Sequence, residues 1–79
     1  MKEFFVKGRV SWIKSYVHNG EPRSKENEAE FDRFVSAESA KDAAKLVSER
    51  VIQKAKKCTF GTNHDVRIAE IAVYEKVEV

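Results

Sequence analysis

Cys58, His64 and Asp65 lie close together in the chain, and these residue types can act as nucleophile, general base and orienting carboxylate. Such a site needs a formed pocket and donors for an oxyanion, and a chain of 79 residues leaves little room for either. Cys58 also falls on the apolar stripe of a predicted helix, where a thiol behaves as a small hydrophobic side chain. We therefore predict a structural cysteine and a protein that is not an enzyme.

The residue pattern also gives little support for a metal site, a phosphate-binding loop or acid–base catalysis by carboxylates. His18, Cys58 and His64 are scattered, whereas structural zinc needs four ligands at paired spacing. The glycines are isolated and none opens a helix, so no phosphate-binding loop is predicted. The glutamates between residues 21 and 30 could do acid–base work only within a cleft. We predict neither a metal nor a cofactor.

The first predicted strand, residues 3–17, alternates in polarity with a period of two. The face predicted to join the core carries Phe4, Val6, Gly8, Val10, Trp12 and Tyr16. The opposite face carries Phe5, Lys7, Arg9, Ile13 and Val17. Gly8 marks a bulge or a close approach of two backbones.

A turn over residues 18–23 follows, because Asn19-Gly20 favours positive φ and Pro22 is expected to stop the strand. Residues 24–30 are either a mobile loop or the polar start of the second strand, which is predicted over residues 31–37. Three of its side chains face the core, and Phe34 points to the other side.

A helix is predicted to begin after Ser39, since Ser39 and Asp42 have the spacing of a capping box. Its buried stripe is predicted to comprise Ala40, Ala44, Val47, Val51, Ala55 and Cys58. The third strand, residues 66–79, changes phase. Either a bulge lies near Ala69-Glu70, or the strand buries both of its faces.

These elements predict one α+β domain over residues 1–79, with ββαβ order and a three-stranded, mainly antiparallel sheet. One helix covers only one sheet face, so the other must be covered by a partner, a second copy or the loop over 24–30. Exposed apolar patches often mark interfaces. We predict a non-catalytic module that docks on a protein or nucleoprotein complex, or forms a homodimer. The residues predicted to contact the partner are Phe5, Lys7, Arg9, Ile13, Lys14, Val17 and Phe34.

The alternative function is RNA or DNA binding. Cations interleave with aromatic residues in the first strand, and the helix end adds Arg50, Lys54, Lys56 and Lys57. Basic groups neutralise phosphates, and an exposed ring can stack on a base. Against this, the net charge is only +2, and Trp12 and Tyr16 fall on the predicted core face.

The composition favours a globular protein of the cytoplasm. Charged residues make up 35% and hydrophobic residues 42% of the chain. A single cysteine fits a reducing compartment. The N-terminal residues lack the apolar core of a signal peptide, and no apolar run is long enough to span a membrane.

Two stretches resemble known families. Val35-Ser36-Ala37-Glu38-Ser39-Ala40-Lys41-Asp42-Ala43-Ala44, with Cys58-Thr59-Phe60-Gly61 and Val66-Arg67-Ile68, is similar to the strand–helix–strand half of small phage anti-CRISPR proteins. That resemblance implies an inhibitor docking on a nucleic-acid-guided complex through a basic, strand-borne surface, with Lys7, Arg9 and Lys14 as candidates. Phe5-Val6-Lys7-Gly8 and Gly61-Thr62-Asn63-His64 resemble the archaeal ribosomal protein LX family, although residues 65–70 lack its basic run.

Overall fold

The computed structural model describes residues 1–58 and 60–77. The chain forms β1 (Lys2–His18), β2 (Glu21–Ala37), α1 (Ala40–Lys56) and β3 (Thr62–Glu75). The strands form one antiparallel sheet in the order β2-β1-β3, and α1 packs across one face. The predicted α+β architecture with ββαβ order is confirmed. Within the described residues, no helix has the length and apolar character needed to cross a bilayer.

A two-residue turn joins β1 to β2. Asn19 (φ 51°) and Gly20 (φ 78°) both adopt the positive φ of a type I′ hairpin turn. The two strands then pair without a register shift, from His18–Glu21 at the turn to Lys2–Ala37 at the far end. The expectation that Pro22 stops the strand is wrong, because proline is tolerated at the start of an edge strand. Residues 24–30 are strand rather than loop.

The long hairpin makes the molecule a rod. Its principal extents are 58 × 16 × 15 Å and its radius of gyration is 15.6 Å. A compact domain of this length would have a radius of gyration of about 12 Å. With 17 residues, α1 is about 25 Å long and spans less than half of the rod. The hairpin tip therefore extends beyond the end of α1.

The core lies between α1 and the sheet. Its buried residues are Phe4, Val6, Val10, Phe31, Val35, Ala37, Ala43, Val47 and Val51. The predicted helix stripe is partly wrong: Ala43 is buried, whereas Ala40 and Cys58 are exposed. The stripe advances in steps of four from Ala43, and Cys58 lies beyond the last helical residue. Ser39 caps the helix as predicted, since its Oγ accepts a hydrogen bond from the Asp42 N–H at 3.2 Å.

A bulge accounts for the change of phase in β3. Arg9 pairs with Glu70 and Val10 with Ile68, which leaves Ala69 unpaired. The predicted bulge near Ala69-Glu70 is confirmed. A second irregularity lies between Ser11 and Ile13, opposite a residue with positive φ, Asp65 (φ 52°).

These two irregularities keep the apolar residues of β3 on the side of α1, where Val66, Ile68 and Val73 pack against the core. The strand begins earlier and ends earlier than the predicted 66–79, and residues 78–79 lie outside the described residues.

Candidate interaction surfaces

The sheet face turned away from α1, here called the open face, carries three aromatic rings in one row. Phe5 of the central strand pairs with Phe34 on one side and Tyr74 on the other. The Phe5 ring centroid lies 4.9 Å from that of Phe34 and 6.5 Å from that of Tyr74. Phe34 is 77% exposed and Tyr74 53%. Lys7 Nζ lies 5.8 Å from the centroid of the Tyr74 ring. We call Phe5, Phe34 and Tyr74 the aromatic cluster.

The rest of the open face is not the continuous apolar surface that the sequence suggested. Predicted contact residues Phe5, Lys7, Arg9, Ile13, Val17 and Phe34 do lie on it. Charged rungs centred on Lys7 and Arg9, however, separate the aromatic cluster from Ile13 and Val17. The two apolar groups thus lie at opposite ends of a polar middle section.

Carboxylates dominate that middle section. Four exposed acidic side chains alternate along β2 on the open face, and we call them the acidic row: Glu26, Glu28, Glu30 and Asp32. Successive members are about 7 Å apart along the strand. Arg9 binds Glu70 at 3.0 Å, and no ion pair among the described residues engages the acidic row. The open face is therefore acidic as well as aromatic.

Lys14 lies on the opposite side of the sheet from Lys7 and Arg9. It pairs with Lys25 on β2 and Asn63 on β3, and its Nζ lies 3.8 Å from the centroid of the Phe60 ring. The expectation of one strand-borne basic surface formed by Lys7, Arg9 and Lys14 is therefore corrected. Strand alternation puts even-numbered residues of β1 on the side of α1.

The cations predicted for nucleic acid lie at the C-terminal end of α1. Arg50, Lys54, Lys56 and Lys57 are all exposed. Asn63 fixes this end to the sheet, because its Nδ2 donates to the Ala55 carbonyl at 2.7 Å and to the Lys57 carbonyl at 3.4 Å. Since Asn63 pairs with Lys14, the helix end lies beside the Lys14–Lys25 rung. We call Lys14, Lys25, Lys54, Lys56 and Lys57 the basic end.

A hydrogen-bonded chain of Ser15, His64 and Asp65 also lies on the open face, and the sequence reasoning missed Ser15. Ser15 Oγ lies 2.7 Å from His64 Nε2, and His64 Nδ1 donates to Asp65 Oδ2 at 3.0 Å. The order matches that of a hydrolase triad. Only a contact across 49 residues reveals it, so no local signal could. Cys58, the candidate nucleophile that the sequence predicts to be structural, takes no part in this chain and donates to the Phe60 carbonyl at 2.6 Å.

The exposure of the Ser15–His64–Asp65 hydrogen bonds favours a structural role for these three residues. The His64 side chain is 42% exposed and that of Asp65 is 71% exposed, so water competes for each hydrogen bond. Acyl transfer depends on N–H donors preorganised in a water-excluded site, and an open sheet face does not exclude water. We interpret the Ser15–His64 hydrogen bond as a contact that stabilises the pairing of β1 with β3 beside the second irregularity.

No metal site was found in the part of the chain that the structure describes. Within residues 1–58 and 60–77, no three His, Cys, Asp or Glu side chains are grouped so that they could hold a metal ion. The described residues form an aromatic and acidic open face, and a basic end on the side of α1.

Comparisons with protein-family models, with curated proteins and with solved structures find no match to this chain. The fold is that of a small α+β domain in which the helix leaves one sheet face uncovered.

Proposed function

We propose that this protein is a non-catalytic binding module whose aromatic cluster docks on a protein partner. The observation that carries the proposal is the row formed by Phe34, Phe5 and Tyr74, in which Phe34 is 77% exposed. Full burial of a large apolar side chain contributes about 1.5–3 kcal/mol. Aromatic anchors in a desolvated centre supply much of the affinity of protein interfaces.

The charges on the open face indicate which kind of protein surface the partner presents. The acidic row begins one rung away from the aromatic cluster, at Asp32. A cationic protein surface is attracted to such a row, and complementary charges increase the rate of encounter. Phosphate groups are repelled by it. The occupant that the open face fits is thus a protein with an apolar pocket for Phe34 beside lysine or arginine side chains.

The same charges disfavour a second copy of this chain. Full face-to-face stacking would place one acidic row over the other, or Lys7 and Arg9 over their counterparts. Pairing of two β2 edges would set acidic side chains about 5 Å from each other, and like charges in directly opposite positions are destabilising. Self-association is the alternative, and photo-crosslinking and the solution mass distinguish it from docking on a different protein.

Docking on a protein or nucleoprotein complex is also what the resemblance to small phage anti-CRISPR proteins implies. The further expectation, that docking inhibits a host defence complex, rests on that resemblance alone and stays a prediction.

Site-specific photo-crosslinking tests the proposal. A benzoylphenylalanine in place of Phe34 is expected to crosslink a protein in extract of the encoding organism, because this side chain is 77% exposed within the aromatic cluster. The same group in place of Val17 is the matched control, since Val17 is 71% exposed at the other end of the open face. The captured protein, once purified, should bind the unmodified chain less tightly as salt rises, because it faces the acidic row.

Three results would overturn the proposal. The first is equal crosslinking from both positions, which indicates non-specific contact. The second is a crosslink to another copy of this chain or to nucleic acid. The third is the absence of any crosslink from position 34 in the same extract.

A further inference from the structure

Two lysines on the side of α1 lie directly opposite each other in the sheet. Lys14 and Lys25 are cross-strand partners, and a like-charged pair in this arrangement is destabilising. None of the ion pairs found in residues 1–58 and 60–77 includes either lysine. Arg9, on the open face, does have a carboxylate partner in Glu70. The pair on the side of α1 is therefore suited to an anion supplied from outside.

The end of α1 enlarges this cationic surface. Lys54 and Lys56 occupy its last turn, and Lys57 is the C-cap residue. Asn63 holds this end at the rung of Lys14 through hydrogen bonds to the carbonyls of Ala55 and Lys57. The helix terminus carries a partial negative charge of about half a unit, which the three lysines outweigh. The basic end is thus a fixed group of five cations contributed by β1, β2 and α1.

Aromatic side chains lie within the same surface. The Phe60 ring is 63% exposed and lies under Lys14 Nζ at 3.8 Å. Tyr16 follows Lys14 on the same side of β1, half-buried, and the Phe60–Gly61 segment packs against it. A Cβ added to Gly61 would lie 3.1 Å from the Cβ of Tyr16. The rings of Phe60 and Tyr16 therefore lie within the same surface as Lys14.

We propose that the basic end, with Phe60 and Tyr16, binds single-stranded nucleic acid. Lysines track the phosphates, and the exposed ring stacks on a base, which is how non-specific single-strand sites combine their contacts. A double helix keeps its bases stacked inside and would leave the rings unused. An acidic protein would engage the lysines but would not need the Phe60 ring. This surface is separate from the open face, so the inference does not rest on the proposed docking function.

Fluorescence anisotropy with a labelled oligothymidylate and a labelled oligouridylate tests the inference. Binding is expected to weaken as salt rises from about 50 to 200 mM, with a log–log slope of about −0.7 for each phosphate neutralised. The double variant Lys14→Gln/Lys25→Gln should flatten that slope by about 1.4. Phe60→Ala should weaken binding about tenfold while the slope stays unchanged, since stacking carries no charge.

Matched controls separate a site from general electrostatics. Lys41→Gln/Lys45→Gln removes the same charge from the opposite half of α1 and should leave affinity and slope at the wild-type values. Thermal unfolding verifies that each variant is folded. The inference is overturned by absence of binding at the lowest salt, or by equal losses in the two double variants. It is also overturned if polyglutamate binds as tightly as the oligonucleotides and Phe60→Ala changes neither of these two affinities. The surface would then recognise acidic protein.

Discussion

Gly8→Ala is expected to lower the free energy of unfolding by about 3 kcal/mol, the upper end of the usual range for overpacking. Gly8 lies in the central strand, and an added Cβ would overlap the backbone carbonyl of Glu70 and lie 2.9 Å from the tip of the Phe31 ring. A backbone neighbour cannot rotate away as a flexible side chain can. Relieving the overlap would displace β3 from β1, and urea denaturation monitored by circular dichroism measures the loss.

Gly20→Ala is the control for that prediction. Among the described residues, no heavy atom lies within 4 Å of the Cβ that would be added at Gly20, although its φ of +78° is unfavourable for alanine. The expected loss is about 1 kcal/mol, from backbone strain alone. If Gly20→Ala were the more destabilising of the two, the close pairing of β1 with β3 at Gly8 would be contradicted.

Phe34→Glu is expected to weaken binding to the captured protein partner at least about thirtyfold, as loss of a central aromatic anchor does. The substitution removes the most exposed ring of the aromatic cluster and adds a carboxylate beside Asp32. The cost in stability should be about 1 kcal/mol, since Phe34 is already 77% exposed and its ring pair with Phe5 is lost. Isothermal titration calorimetry measures the affinity, and thermal unfolding measures the stability.

Val17→Glu makes the same change of charge at a comparably exposed position on the open face. We expect this variant to bind the partner with wild-type affinity, because Val17 lies beyond the acidic row, at the hairpin tip. Equal losses in Phe34→Glu and Val17→Glu would mean that net charge, and not the aromatic cluster, governs binding.

The elements with strong local signals could be predicted from the sequence. The alternation around Phe4 and Val6 predicts a strand with one core face, and Asn19-Gly20 predicts the hairpin turn. Ser39 predicts the start of α1 through its capping side chain. Each of these signals depends on neighbours within a few residues, so it is visible without tertiary contacts.

The surfaces depend on contacts between distant residues, and they were predicted less well. The stretch around Glu26 has low intrinsic strand propensity and forms a strand because β1 pairs with it along its whole length. Tyr74 joins Phe5 only because the bulge at Ala69 shifts the pairing of β3 by one residue. Likewise, Lys14 belongs to the basic end because strand alternation separates it from Lys7, even though both are close in sequence.

The two sides of β2 differ in charge, and this links the two proposals. On β2, four residues of one phase form the acidic row, whereas Arg23, Lys25 and Arg33 share the other phase with Glu21. A protein partner on the open face and a nucleic acid at the basic end would therefore not compete. A nucleoprotein complex is the kind of assembly that offers both.

The solution mass, measured by light scattering across a range of concentrations, tests most directly whether the open face is kept free for a different protein. We predict a monomer of 9.1 kDa, because like charges oppose full face-to-face stacking of two copies and pairing of their β2 edges. A particle of twice that mass that dissociates in Phe34→Glu would contradict the proposal, since a second copy would then occupy the aromatic cluster.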